Sequence, residues 1–296
     1  MNPENHGIEE KGAAKMTTLA RNPKPKTRTI FHSNPVLSRL SKIPERSETN
    51  AATYRGIAVK TAYFLLITLV GMVAQLLVKA AMANEPVWQT IQVYEKFTVA
   101  LTKKETLIVG IVLVAGFICE MLGIFARKTV PVTGTLYAAS QGYVISFLVF
   151  KVLTGYEYLG LEALLLTVAV IAAMSYLYSS GIIKVNKKFR TVLLSLILGS
   201  IGLGVLSFLG SLLPAARPYV QALMQNAGFT IAIDVIGLII ASLFLISDFS
   251  LIDDCVREHY PKEYEWSAAF GLVFTVIWIY LKILDLLMQF AGKNKD

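Results

Sequence analysis

The sequence predicts an all-helical, polytopic membrane protein with seven spanning segments, and three observations carry that expectation. Of 296 residues, 55% are hydrophobic and 16% charged, with a mean hydropathy of +0.58, a composition far from that of soluble domains. The apolar residues gather in seven runs, each long enough to cross ~30 Å of hydrocarbon at ~1.5 Å per helical residue. The basic residues fall between the runs, and they favour alternate connections.

Residues 1–50 are rich in Asn, Pro, Lys, Arg and Ser, without the apolar core of a cleaved export signal, so a disordered basic tail is expected. Between 21 and 46 the tail carries Arg21, Lys24, Lys26, Arg28, Arg39, Lys42 and Arg46 against one acid, Glu45, which suits contact with an anionic leaflet or plain solvation. The membrane domain is expected over 51–292, with a short tail at 293–296. Its spans are 57–78, 107–125, 136–153, 161–178, 192–213, 229–247 and 268–290. Lys and Arg number 18 on the side of the N-terminus and eight on the other, Lys151 at the end of the third span included, which places the N-terminus in the cytoplasm and the C-terminus outside the plasma (inner) membrane.

The connection 80–106 contains VWQTIQVYEKFTVAL, whose apolar spacing fits a short interfacial helix anchored by Trp88 and Tyr94. In the fifth span, Ser200 with Gly204 and Ser207 with Ser211 have the four-residue spacing of small side chains that lets helices approach closely.

Ionisable groups inside apolar helices are costly, about 2.5–3.5 kcal/mol each on insertion scales, so they face the bundle interior, a partner or water. Lys60 and Lys151 lie near span ends and can snorkel to the headgroups. Gln75 and Gln141 lie deeper and suit hydrogen bonds between helices; Glu120 can pair with Arg127 or Lys128, or sense a proton or ion. Asp234 and Asp248 are fourteen residues apart, which puts them on one helix face about 21 Å apart. Lys282 and Asp285, three residues apart, can neutralise each other. Asp248 also opens an acidic run through Asp253, Asp254, Glu258, Glu263 and Glu265 whose oxygens suit Ca²⁺ or protons.

Several classes of function fall away. The chain has no HExxH, GxSxG or phosphate-loop signature, and His6, His32 and His259 are scattered, so no enzyme and no cofactor are expected. Cys119 and Cys255 form no CxxC pair, and the basic residues do not interleave with aromatics as nucleic-acid modules require.

Three stretches carry a resemblance: SNPVLSRL at 33–40, VPVTGTLYAASQG at 130–142, and FLISDFSLIDDCV with PKEYEWSAAFGLVFTVIWIYLKILDLL at 244–287. Together they resemble the bacterial branch of the Bax inhibitor (transmembrane Bax inhibitor motif) family. The resemblance implies a seven-helix bundle with the last helix at its centre and a pH-sensitive calcium leak, with Ca²⁺ as the transported ion. It also implies a proton-sensitive latch between a carboxylate near the end of the sixth helix, matched by Asp248, and one in the seventh, where this chain has Lys282. An Asp248–Lys282 pair, or one shifted to Asp285, would then replace the two-carboxylate latch, and Gln141 stands where the family has an acid before Gly142. Contact between Lys282 and Asp248 requires residues 261–270 to form a separate element. The candidate ion pathway is therefore Asp248, Lys282, Asp285, Glu120 and Gln141. The alternative is a non-conducting membrane regulator that binds another membrane protein, such as a protease or a stress-response partner.

Overall fold

A computed structural model of the chain describes residues 50–93 and 97–293. The expectations for the basic tail, and Tyr94 as an anchor, lie outside the described residues. The first helix, α1 (Tyr54–Ala81), starts at Thr53, whose hydroxyl accepts from Gly56 N. A hairpin of β1 (Gln89–Gln92) and β2 (Thr98–Leu101) leads into α2 (Lys103–Phe125). A 3₁₀ turn (Arg127–Thr129) precedes α3 (Val130–Phe147), which continues into a π-helical turn, Leu148–Val152. The remaining helices are α4 (Tyr158–Ser179), α5 (Lys187–Leu212), α6 (Arg217–Gln225), α7 (Ala227–Arg257) and α8 (Tyr264–Lys293).

Six helices are long and apolar enough to cross a membrane: α1, α2, α4, α5, α7 and α8. With the family assignment below, they make this a multi-pass membrane protein. The third expected span corresponds to α3, where Thr133, Thr135, Ser140 and Gln141 dilute the apolar residues, and α3 does not reach the same measure. Helices start two to six residues before the apolar runs, and α1, α2, α5 and α7 begin at a capping side chain, Thr53, Thr102, Asn186 and Asn226. In α2, Thr102 and Glu105 form a capping box, each side chain accepting from the other's backbone N–H.

The connection before α2 is not the expected helix. Phe97, Val99 and Leu101 are buried at every second position, the period of a strand, and Phe97 packs edge-on against Tyr156 at 5.4 Å. A short exposed helix appears instead at α6.

Helix α8 is the centre of the bundle, packed against α7, α1, α4 and α3. Phe270 meets Phe64 of α1 and Tyr137 of α3, and the Tyr280 hydroxyl donates to the Gly160 carbonyl of α4. Helices α1, α3 and α8 run parallel: Gln75 accepts from Ser146 at 2.9 Å, and Lys60 pairs with Glu265. Their N-termini therefore share one end of the bundle, called the near end below.

The α1–α3 interface depends on two glycines. A Cβ at Gly142 would stand 1.9 Å from the Thr68 carbonyl oxygen, and one at Gly71 would stand 2.0 Å from that of Ala139. The fifth span was expected to pack through its small residues, yet a Cβ at Gly199, Gly202 or Gly204 would meet nothing within 4 Å, and Leu193 is the buried residue of α5. Small residues permit close packing, but a facing helix must be present to exploit it.

Candidate ion site between the last two helices

Helices α7 and α8 are antiparallel, and both aspartates of α7 face α8. Asp248 Oδ2 accepts from the Thr275 hydroxyl at 2.6 Å. Fourteen residues away, Asp234 Oδ1 lies 2.6 Å from Lys282 Nζ, and its Oδ2 accepts from the Gln289 amide. The Lys282 stem crosses α7 at Gly237, with Cε 3.4 Å from where a Cβ would stand.

Lys282 thus pairs with Asp234, not with Asp248. The reason is continuity: α8 begins at Tyr264 and runs unbroken past residue 270, without the separate element an Asp248 contact requires. Fourteen residues of α7 and fourteen of α8 each advance about 21 Å, so Asp248 meets Thr275 and Asp234 meets Gln289 in one register. Asp285 lies one turn beyond Lys282 and is half-buried.

Asp248 lines a cavity of about 320 Å³ between α2, α7 and α8, walled by Phe244, Phe270, Phe274 and Gly271. Among the described residues, Asp248 has no ion pair. Two arginines share the cavity lining: Arg190 is engaged with Asp254 at 3.2 Å, and Arg127 lies over the Tyr264 ring at 3.8 Å. The Ser267 hydroxyl oxygen, also in the lining, is buried with no hydrogen-bond partner among the described residues.

The other predicted site residues stand apart. Glu120 is half-buried and, among the described residues, forms no ion pair with Arg127 or Lys128. Gln141 lies on α3 opposite Gly116 of α2, its amide nitrogen 3.9 Å from where a Cβ would stand. Neither lines the Asp248 cavity.

The acidic run after Asp248 disperses. Asp253 accepts from the Tyr54 and Tyr178 hydroxyls, Asp254 pairs with Arg190, and Glu265 takes the Thr53 backbone N–H and Lys60. Among the described residues, no three His, Cys, Asp or Glu side chains converge as a metal-ligand group.

Lys60 and Lys151 do not snorkel. Lys60 is bound to the fully buried Glu265, and Lys151 lies 2.8 Å from the buried Glu105. In each case a nearby carboxylate gives the ammonium group a partner inside the bundle. Thr275 and Gln289, which hold the two aspartates, were not singled out from the sequence. Their signal is a polar side chain in an apolar helix, repeated at the same fourteen-residue interval as Asp234 and Asp248.

The fold and site define a class: a multi-pass helical bundle whose central last helix carries buried polar and ionic groups against its antiparallel neighbour. A protein-family model described as Bax inhibitor 1 like matches residues 34–292, and the chain belongs to that family. No curated protein matches the chain.

Proposed function

We propose that this protein is a cation leak pathway, with Ca²⁺ the ion implied by the family resemblance and no enzymatic activity. The observation that carries the reading is Asp248: a carboxylate held by one hydroxyl, without an ionic partner among the described residues, lining an apolar-walled cavity. Such a group attracts a desolvating cation, and protonation removes that attraction, so proton and cation compete for one carboxylate. The Lys282–Asp234 pair lies about four helical turns along the same face and closes the far half of the route. Lys282 stands where the family's latch has an acid, so this chain closes with an ion pair in place of a shared proton. The bias of Lys and Arg supports a near end on the cytoplasmic side of the inner membrane.

The test is Ca²⁺ flux into proteoliposomes across a range of pH. Wild-type protein should exceed empty vesicles, Asp248→Asn should fall to the empty-vesicle rate, and flux should decline in acid. Wild-type flux equal to that of empty vesicles at every pH counts against the reading.

A second reading, a non-conducting regulator that binds another membrane protein, is favoured by α5. A Cβ at Gly199, Gly202 or Gly204 would meet nothing within 4 Å among the described residues, so that stretch of α5 is open to lipid or to another helix. Cross-linking through α5 and pull-down with and without the N-terminal tail separate the two readings, since a channel keeps its flux when the tail is deleted.

A further inference from the structure

At the near end, sharing Arg127 with the lining of the Asp248 cavity, lies a second recess of about 580 Å³. It is lined by Lys60, Arg127, Lys128, Lys262, Glu263 and Trp266. Four of these six side chains are cationic and one is acidic. Lys60 is already neutralised by Glu265. Arg127, Lys128 and Lys262 have no carboxylate partner within 4.0 Å among the described residues, so the recess keeps a positive excess even after Glu263 is counted.

The fold adds to that excess. Because α1, α3 and α8 are parallel, the positive ends of three helix dipoles meet at this rim, and Glu265 is the carboxylate buried among them. The walls are also fixed in place. Arg127 is stacked on Tyr264, Lys60 lies 5.2 Å from the Trp266 ring centre, and Ala52 N donates to the Tyr260 carbonyl while Lys262 N donates to that of Asn50. These bonds strap the chain entering α1 to the loop between α7 and α8. Trp266 is half-buried at the end of the apolar bundle, where an amphipathic ring sits beside headgroups.

We propose that this recess binds a phosphate-bearing anion, with Lys128, Lys262 and Arg127 contacting the phosphate and Trp266 forming the apolar side of the site. Its place at the end of the membrane helices fits the phosphate of an anionic lipid headgroup, and a soluble phosphate ion offers the same oxygens. The site is built from Lys128, Lys262, Arg127 and Trp266, residues other than those of the basic tail, and Asp248 is not part of its lining.

Lys128 and Lys262 are both exposed and make no ion pair among the described residues, so Lys128→Gln/Lys262→Gln should fold as the wild type does. The full chain, purified in neutral detergent, is titrated with phosphatidic acid and with phosphatidylcholine, and bound lipid is counted by native mass spectrometry. Wild-type protein should bind phosphatidic acid saturably at one site in preference to phosphatidylcholine, and the double variant should bind it at least ~10-fold more weakly, with its tail intact. Inorganic phosphate that displaces the lipid identifies a free anion as an occupant; failure to displace it identifies the headgroup. Equal affinity for the two lipids, or a double variant that binds as the wild type does, overturns the proposal.

Discussion

Lys282 Nζ lies 2.6 Å from Asp234 Oδ1, a pairing across the central helix pair that leaves Asp248 to Thr275. Two aspartates fourteen residues apart on α7 thus receive unlike partners: one a cation and an amide, the other a hydroxyl. An ion pair is close to neutral as a unit, whereas a lone carboxylate keeps its capacity for a cation or a proton. That asymmetry is why the proposed route has an acceptor near one end and a closure toward the other.

Breaking the pair from one side should cost more than removing it. Lys282→Met or Asp234→Leu leaves a buried charge without its counter-ion, which costs about 3–5 kcal/mol where such pairs have been broken. The double variant should recover most of that loss. A double-mutant cycle on unfolding in detergent measures it, and additive single-variant losses would show that the two side chains are not coupled.

Removing only the lysine charge should also open the route. A divalent cation 8 Å from one positive charge is opposed by about 4 kcal/mol at an effective dielectric constant of ~20. Lys282→Gln turns a neutral pair into a lone Asp234 carboxylate and should raise Ca²⁺ flux by at least ~10-fold in proteoliposomes. Unchanged flux in a correctly folded Lys282→Gln protein would mean that this pair is not the closure.

Much of the architecture was legible because the bilayer imposes a simple rule: apolar runs of spanning length become helices, and the runs at 57–78, 161–178 and 268–290 correspond to α1, α4 and α8. The connection at 80–106 was misread because short apolar spacing suits helix or strand, and the alternation of Phe97, Val99 and Leu101 decides for the hairpin only once all three are buried, Phe97 against Tyr156. The shared face of Asp234 and Asp248 follows from helical geometry. The partner of Lys282 does not, because it depends on the register of α7 against α8, which is set by where α8 begins after Pro261. Likewise the counter-ions of Lys60 and Lys151 are 205 and 46 residues away in sequence, beyond any local pattern.

Glycine substitutions should separate packed from open helix faces. Gly142→Ala forces a methyl group to 1.9 Å from the Thr68 carbonyl oxygen, so α1 and α3 must separate, at a cost of about 1–3 kcal/mol or more. Gly202→Ala meets nothing and should hold or raise stability by up to ~1 kcal/mol through helix propensity. Melting temperatures in one detergent compare them, and equal losses would contradict the described helix contacts.

The near-end clamp gives the last prediction. Glu265 is fully buried, takes Lys60 and both the backbone N–H and hydroxyl of Thr53, and fills the space beside Gly56, where a Cβ would stand 2.1 Å from its Oε1. Glu265→Gln keeps the shape and removes the charge, which strands the Lys60 ammonium inside the bundle and should cost about 3–5 kcal/mol. Glu265→Gln combined with Lys60→Met should regain part of that loss, because no buried ammonium then remains. Gly56→Ala, which expels the carboxylate by bulk instead of by charge, should be destabilising even with both ionic groups intact. Thermal unfolding of the three variants provides the comparison: a Glu265→Gln protein as stable as wild type would show that Lys60 finds water or headgroups without this carboxylate, and that α1 and α8 are held together by their aromatic contacts alone.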